Sequence, residues 1–233
     1  MATTFMELVN RTLRRLNEVE IDEIEFDSVR GVQAAAKDAV QDAVRKINSQ
    51  KFEWPFNAAD GSQVLTVGQE LYSWPTDLKI VDWDSFYIEK STPLSTNTHP
   101  LFPINRNEWY RKHKAADLDV GTDGRSKPDW AFPSDSGGFG VTPSPSAAYT
   151  IKFRYWIRPD ALVDFDDVCT IPSEFDHVIT DGAMMHMFMF MDNDERAKKA
   201  EFDFNFGLSW MSYLLIPKDF YASDSRMGVN NAR

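Results

Sequence analysis

The apolar residues near the two ends of the chain recur with the spacing of helices. Residues 5–19 carry one apolar stripe, which consists of Phe5, Leu8, Val9, Leu13 and Leu16. Side chains three and four residues apart lie on the same face of a helix. Thr4 and Glu7 also have the spacing of a capping box, a common helix start. The pattern therefore predicts a helix over residues 5–19.

A second helix is predicted after an acidic connector at residues 20–27. Its cap is expected at Asp27 or Ser28, and it ends near Gln50. The apolar positions of this helix are rich in alanine and consist of Val32, Ala36, Ala39, Ala43 and Ile47. Small side chains let a partner helix approach closely, so the two helices are expected to pack as an antiparallel hairpin.

Glycine and proline interrupt the pattern between residues 55 and 165, as they do in strands and turns. Strands are predicted at 63–67, 70–74, 79–88 and 149–157. The last of these is the clearest, because apolar and polar residues alternate along it and one face is therefore buried. A short helix is expected at 107–115, and 117–146 has the composition of a loop.

Helical patterns return after Pro172, where Ser173 is the expected N-cap of a helix over 174–191. A further helix, capped by Asp192 or Asn193, is predicted over 194–215. One of its apolar stripes consists of Ala197, Ala200, Phe204, Leu208, Met211 and Leu215. The other consists of Phe202, Phe206, Trp210 and Tyr213. A helix that is apolar on two sides is either deeply buried or shared with another subunit.

Together these elements predict an α+β fold in four parts. Residues 1–54 and 166–216 supply helix pairs that form one bundle. Residues 55–165 form an inserted antiparallel β-sandwich or barrel-like domain. Residues 217–233 show no periodicity and are expected to form an extended C-terminal tail.

Acidic residues outnumber basic ones, and the formal net charge is −11 at pH 7. Residues 159–233 hold 6 basic and 14 acidic side chains, whereas 61–158 hold 11 of each. Tight binding of nucleic acids depends on Lys and Arg side chains that neutralise phosphates. The acidity therefore argues against such binding, although it suits a surface past which DNA slides. Solubility alone is the simpler interpretation.

Catalytic and cofactor-binding motifs are absent from the sequence. Cys169 is the only cysteine, which excludes an intramolecular disulfide and a cysteine-based metal site. The glycine-rich segment 137–140 lacks the lysine of a phosphate-binding loop. His177 and Asp181 lie one helical turn apart, where a surface hydrogen bond is favoured over a metal site. We therefore predict no enzyme, no cofactor and no bound metal.

The longest apolar run, residues 183–191, is too short to span a bilayer, and the N-terminus lacks the pattern of a signal peptide. The expectation is a soluble protein, made inside the cell, without membrane contact. The methionines and phenylalanines of 184–191 suit either a helix core or an adaptable interface.

Three arginines lie off the apolar stripe of the first helix, at Arg11, Arg14 and Arg15. Arg11 is four residues after Glu7, and Arg14 is four residues before Glu18, so both pairs have the spacing of ion pairs on a solvated helix face. The alternatives are contact with DNA or with an acidic neighbouring subunit.

Three short segments carry a resemblance to a known family. Phe52–Asn57 ends the second helix with aromatic residues and a proline, Trp74–Ile80 contains a Pro-x-Asp turn, and Ile171–Phe175 opens the last helix pair. In this order they resemble the head-to-tail adaptors, or tail tubular protein A family, of short-tailed phages (podoviruses). The resemblance covers residues 5–90 and 165–215.

The resemblance implies a structural role in the virion. Such adaptors are helical bundles with a strand-rich insert, and they form a homo-oligomeric ring, typically of twelve copies. The ring lies between the portal protein and the tail nozzle protein. Double-stranded DNA passes through it during ejection without specific binding. Assembly in the host cytoplasm is expected.

The resemblance also implies residues that contact partners. In related adaptors the C-terminal tail reaches into the portal, so portal contacts are expected at Pro217, Phe220, Tyr221 and Arg226. Apart from the resemblance, the second apolar stripe of the last helix predicts contacts with neighbouring subunits at Phe206, Trp210 and Tyr213. Arg11, Arg14 and Arg15 depart from the family's pattern and are further candidates for such contacts.

Two other functions remain open at this point. A tail or neck completion protein, such as a nozzle component, needs no different residues. A cell-wall hydrolase would use paired carboxylates, for which Asp164, Asp166 and Glu174 are the candidates. A solvated acidic turn is the favoured interpretation of Asp164, Asp166 and Asp167.

Overall fold

A computed structural model describes residues 3–51, 53–89, 98–114 and 124–216 of this protein. The chain divides into two compact units. Met1–Asn57 and Pro159–Arg233 form the first unit, and Ala58–Arg158 form the second. The first unit is helical and the second is rich in strands, so the predicted α+β class is confirmed.

The helices are α1 (Phe5–Arg15), α2 (Val32–Gln50), α3 (Arg106–Lys112), α4 (Asp176–Phe190) and α5 (Asp194–Leu215). The strands are β1 (Ala58–Val64), β2 (Leu71–Ser73), β3 (Leu78–Val81), β4 (Tyr87–Ile88), β5 (His99–Pro100), β6 (Phe102–Pro103), β7 (Trp130–Ser134), β8 (Gly138–Thr142) and β9 (Thr150–Ile157). Short 3₁₀-helices occupy Pro55–Asn57, Trp83–Ser85 and Ser173–Phe175.

Helix α1 begins with the predicted capping box. The Thr4 side chain accepts a hydrogen bond from the backbone N–H of Glu7, and the Glu7 carboxylate accepts one from the N–H of Thr4. The prediction that this helix continues to residue 19 is wrong. Asn17 adopts a left-handed backbone conformation, with φ of 59°, which stops the helix after Arg15.

The connector between α1 and α2, residues 16–31, runs back along α1 instead of forming a short turn. The Asn10 amide donates to the Ile21 carbonyl and accepts from the Ile21 N–H, at 3.0 and 2.8 Å. Further along, the Phe26 ring packs edge-on against Phe5. Helix α2 therefore starts at Val32, after Gly31, and the predicted cap at residue 27 or 28 is wrong.

Helix α4 is the centre of the first unit and packs against α1, α2 and α5. Gly182 makes this possible, because a Cβ there would lie 2.9 Å from both Ala43 of α2 and the Phe204 ring of α5. Gly207 of α5 packs against Val178 in the same way. The two contacts follow each other in opposite directions along the two helices, so α4 and α5 are antiparallel.

The caps of the last two helices differ from each other. The predicted N-cap role of Ser173 is wrong, because Ser173–Phe175 form a 3₁₀-turn and α4 begins without a side-chain cap. Helix α5 has the predicted bounds, and the Asn193 side chain accepts from the Arg196 N–H as its cap.

Residues near the N-terminus join the segment that precedes α4. Thr4 forms an antiparallel bridge with Val168, and the N–H of Cys169 donates to the Thr3 carbonyl at 3.2 Å. Phe5 continues the pairing by donating to the Asp167 carbonyl at 2.8 Å. The N-terminal segment is therefore held to the segment before α4 by backbone hydrogen bonds as well as by packing.

Two sheets form the second unit. One has the strand order β1-β9-β4-β5, with β3 also paired to β9, and the other has the order β2-β8-β7-β6. Strand β1 pairs antiparallel with β9 from Ala58 opposite Trp156 to Val64 opposite Thr150. Strands β6 and β7 are parallel, so the predicted purely antiparallel insert is corrected to a mixed one. Neither sheet closes into a barrel within the described residues.

The strand predictions hold best where alternation was strongest. Strand β9 is confirmed, with Ile151, Phe153 and Tyr155 buried on one face. The strand predicted at 79–88 is divided by a 3₁₀-turn into β3 and β4. The segment expected to be a loop, 117–146, contains β7 and β8. Buried residues of both sheets contribute to one hydrophobic cluster, in which the ring centroids of Phe139 and Phe153 are 5.7 Å apart.

Candidate subunit-interaction surfaces

The second apolar stripe of α5 lies on the surface of the first unit. Phe202, Phe206, Trp210 and Tyr213, here called the aromatic ridge, are 70%, 67%, 51% and 56% exposed. The first stripe of the same helix is buried against α4 and α2, notably at Phe204, Leu208 and Met211. Helix α5 therefore presents one apolar face to the core and the opposite face to solvent.

The spacing of the ridge residues explains its shape. Steps of four, four and three residues cover eleven residues in about three turns, so the ridge follows the helix axis. The rings of Trp210 and Tyr213 stack with their centroids 5.7 Å apart. Residues 205–216 contain no charged side chain, and Leu214 beside the ridge is also exposed. Contiguous exposed apolar surface of this kind makes the ridge a candidate contact site for another polypeptide.

The methionine- and phenylalanine-rich end of α4 divides into two parts. Met184, Met185 and Met187 are buried, whereas Met189 and Phe190 are exposed. The core interpretation of this run is therefore confirmed for its first half, and the interface interpretation stays a prediction for the exposed half. The exposed half adds to the apolar surface of the unit.

The arginines of α1 form ion pairs with α4 and with the connector. Arg11 binds the buried carboxylate of Asp176, and Arg15 binds Asp181, because α1 and α4 run in the same direction. Arg14 binds Glu20 at 3.1 Å. The i,i+4 pairs expected with Glu7 and Glu18 are therefore replaced. Glu7 is used instead in the cap of α1.

A surface groove of about 390 Å³ lies between α1 and α4. It is lined by Arg11, Arg14, Arg15, His177 and Thr180, and is here called the arginine groove. The three arginine side chains remain partly exposed beside their ion pairs. A guanidinium group has five N–H donors, so donors remain for a further acceptor. The groove is thus suited to a carboxylate or another anion.

His177 and Asp181 do not pair with each other. His177 Nδ1 lies 3.1 Å from the Glu174 carbonyl, and Asp181 binds Arg15. The part of the chain that the structure describes contains no group of three or more side chains with the geometry of a metal site.

The acidic segment that contains the hydrolase candidates Asp164 and Asp166 forms a local turn, which is closed by the side chain of Asp167. Asp167 Oδ2 accepts hydrogen bonds from the backbone N–H groups of Val163 and Asp164, at 2.6 and 2.8 Å. These hydrogen bonds lower the pKa of Asp167 below its ordinary value. Its carboxylate therefore serves to close the turn.

Cys169 is buried beside this turn. Burial raises the pKa of its thiol to about 11, and the nearby Asp176 carboxylate acts in the same direction. The thiol is therefore protonated at neutral pH, which is the state of an unreactive cysteine.

The predicted site residues have different outcomes. Phe206, Trp210 and Tyr213 share one surface, and the three arginines share another. The predicted portal contacts Pro217, Phe220, Tyr221 and Arg226 lie outside the described residues.

The exposed apolar residues of the connector were not predicted from the sequence. Ile21 and Phe26 are buried, whereas Val19 and Ile24 point away from the core and are exposed. The signal was present as an alternation of acidic and apolar residues in the sequence Glu-Val-Glu-Ile-Asp-Glu-Ile-Glu-Phe-Asp at 18–27.

Comparison with known families identifies one match. The model of the SU10 adaptor protein family matches residues 3–209, which is most of the chain. A search of curated proteins finds no match. None of the helices in the described ranges is long and apolar enough to cross a membrane.

Proposed function

We propose, because this chain belongs to the SU10 adaptor protein family, that it forms the adaptor ring between the portal and the tail nozzle of a short-tailed phage. Family membership over residues 3–209 identifies a structural phage adaptor, a component of the virion. The ring, its neighbours above and below, and its twelve copies are the further content of the proposal.

The aromatic ridge is the observation that best supports a multi-subunit assembly. Each large aromatic side chain can bury about 150–250 Å². Buried apolar area contributes roughly 25 cal/mol per Å², so covering the exposed halves of four rings stabilises a contact by several kcal/mol. In the proposed ring, each ridge packs against the neighbouring subunit.

The C-terminal tail and the strand-rich unit are proposed to contact the other two virion proteins. The tail, 217–233, follows the end of α5 and contacts the portal through Phe220 and Tyr221, with Pro217 and Arg226 beside them. The unit Ala58–Arg158, which contains the two sheets, contacts the nozzle protein.

The charge distribution supports a channel for DNA. Residues 159–233 carry 14 acidic and 6 basic side chains, so this part of the chain repels phosphates on balance. DNA passes such a surface without specific binding. Assembly of the ring takes place in the host cytoplasm before DNA ejection.

The test is reconstitution with purified portal protein. The full chain is mixed with portal and with nozzle protein separately, and the complexes are weighed by native mass spectrometry and viewed by electron microscopy. We expect a closed ring of this chain on the portal. A chain that binds nozzle but never portal would instead be a tail completion protein, and a chain that binds neither would overturn the proposal.

A further inference from the structure

The connector presents an apolar side chain at the tip of a turn. Ile24 is 96% exposed, more than any other large apolar residue that the structure describes. The turn is closed by a hydrogen bond from the Glu25 N–H to the Asp22 carbonyl at 3.1 Å. Glu23 and Glu25 therefore flank Ile24 on both sides.

This turn is held in place from both ends. Before it, Ile21 is fixed by its two hydrogen bonds with Asn10. After it, the Phe26 carbonyl accepts from Lys37 Nζ at 2.7 Å, and the same ammonium lies 3.8 Å from the centroid of the Phe26 ring. A contact surface that is already ordered loses less conformational entropy on binding.

The turn carries charge that the chain itself does not neutralise. Residues 18–27 contain six acidic side chains and no basic one. Within the described ranges, ion pairs of these six are limited to Glu20 with Arg14 and Asp27 with Lys37. The carboxylates next to Ile24 are therefore available to a cationic partner.

The arginine groove has the complementary chemistry. Its guanidinium groups retain donors for carboxylates, while the carbon stems of arginine side chains offer apolar surface. An apolar side chain between two carboxylates matches both properties at once.

The exposed turn of the same chain does not fill this groove. Glu20 of the connector binds Arg14 at 3.1 Å. Ile24, however, is 96% exposed, and in the described residues neither Glu23 nor Glu25 forms an ion pair with a groove arginine. The turn can therefore enter such a groove only on another copy.

We propose that the turn Asp22–Glu25 of one copy binds in the arginine groove of the next copy. Ile24 enters the groove, and Glu23 and Glu25 bind Arg14 and Arg15 of the neighbour. Because the two surfaces differ, the contact is head-to-tail, which is the type that closes into rings. The inference rests on the proposed ring and names a contact that joins its subunits.

Charge reversal in the full chain tests this contact. The groove variant is Arg14→Glu, whose only ion pair in the described structure is with the exposed Glu20. The turn variant is Glu23→Arg with Glu25→Arg, and Glu25→Arg alone serves if the double variant folds poorly by circular dichroism. Arg45→Glu is the matched control, since Arg45 forms an exposed ion pair with Asp42 on α2.

Self-association is measured by sedimentation velocity at several protein concentrations, and ring formation on portals by native mass spectrometry. We expect each variant to weaken self-association by about tenfold or more, because like charges then meet across the contact. An equimolar mixture of the groove and turn variants should recover much of the loss, while the control behaves like wild type.

The outcomes separate this inference from the proposed function. If the Arg14→Glu variant formed rings as readily as wild type, or if the mixture associated no better than either variant alone, the proposed contact would be overturned. The proposed ring itself would still stand. A wild-type chain that stays single in the presence of portal would overturn both.

Discussion

Arg11 on α1 donates to the buried carboxylate of Asp176 in the first turn of α4, and this ion pair ties the start of the chain to its last helix pair. Asp176 also accepts a hydrogen bond from the Thr3 hydroxyl at 2.6 Å. Both donors come from the N-terminal segment, so the position of that segment depends on one acidic side chain.

Arg11→Ala should destabilise the first unit. The carboxylate of Asp176 would stay buried without its cation, which costs about 3–5 kcal/mol for a fully buried pair. Arg11 is partly exposed and Thr3 still donates, so we expect a loss of about 1–3 kcal/mol. Urea unfolding of the full chain measures it. Arg45→Ala, which breaks the exposed pair with Asp42, is the control and should change stability by less than about 0.5 kcal/mol.

Cys169 should be unreactive in the folded protein. With burial raising the pKa of this thiol to about 11, roughly one molecule in a thousand carries the thiolate at pH 8. We expect a thiol reagent to modify the native protein at least about 100-fold more slowly than the protein unfolded in urea. Equal rates in the two states would contradict the buried position of Cys169.

His186 should make stability depend on pH. Burial lowers the pKa of His186 below its ordinary value; the Lys46 charge lowers this pKa further, and the Asp42 charge raises it. The unfolded state then binds the proton more readily, so stability is fully present above about pH 6.5 and falls as pH decreases toward the lower folded pKa. His186→Gln should make the urea midpoint depend less on pH between about pH 5 and 6.5. The control is His177→Gln, at the surface of the same helix, which should retain the wild-type slope.

The features predicted from sequence are those that arise from local pattern. The bounds of α5, its Asn193 cap and the burial of alternate residues on β9 follow from strong periodicity. The second apolar stripe of α5 was predicted for the same reason. The structure shows that this stripe is exposed while the first stripe is buried.

The features that were missed depend on contacts far along the chain or on backbone conformation. The partner of Arg11 lies 165 residues away, so no i,i+4 rule identifies it. Asn17 ends α1 through a left-handed conformation that the apolar stripe does not reveal. Strand β8 has a sequence of glycines and apolar residues without alternation, and all five of its residues are buried, so its composition resembled a loop.

Removal of residues 217–233 should leave a folded protein that no longer binds portals. The hydrophobic cluster of the first unit is described up to Ile216, so the deletion removes none of the packing seen in the structure. The urea midpoint and the helical circular dichroism signal are expected to match wild type. Portal binding is measured by co-sedimentation, and undiminished binding would show that another surface makes the contact.

Substitution of the aromatic ridge should separate assembly from folding. In Phe206→Ser with Trp210→Ser, two exposed rings are removed, so we expect the free energy of unfolding to change by less than about 1 kcal/mol. Aromatic residues at the centre of an interface often contribute about 2 kcal/mol or more each to binding, so ring formation on the portal should be lost.

Phe102→Ser on β6 is the matched control for the ridge. Phe102 is as exposed as the ridge residues but belongs to the strand-rich unit and lies outside the ridge. Its variant should form rings at the wild-type protein concentration. If the ridge variant assembled as well as this control, lateral contacts would have to lie elsewhere, because the uncharged side of α5 would then be exposed in the completed ring as it is in the single chain.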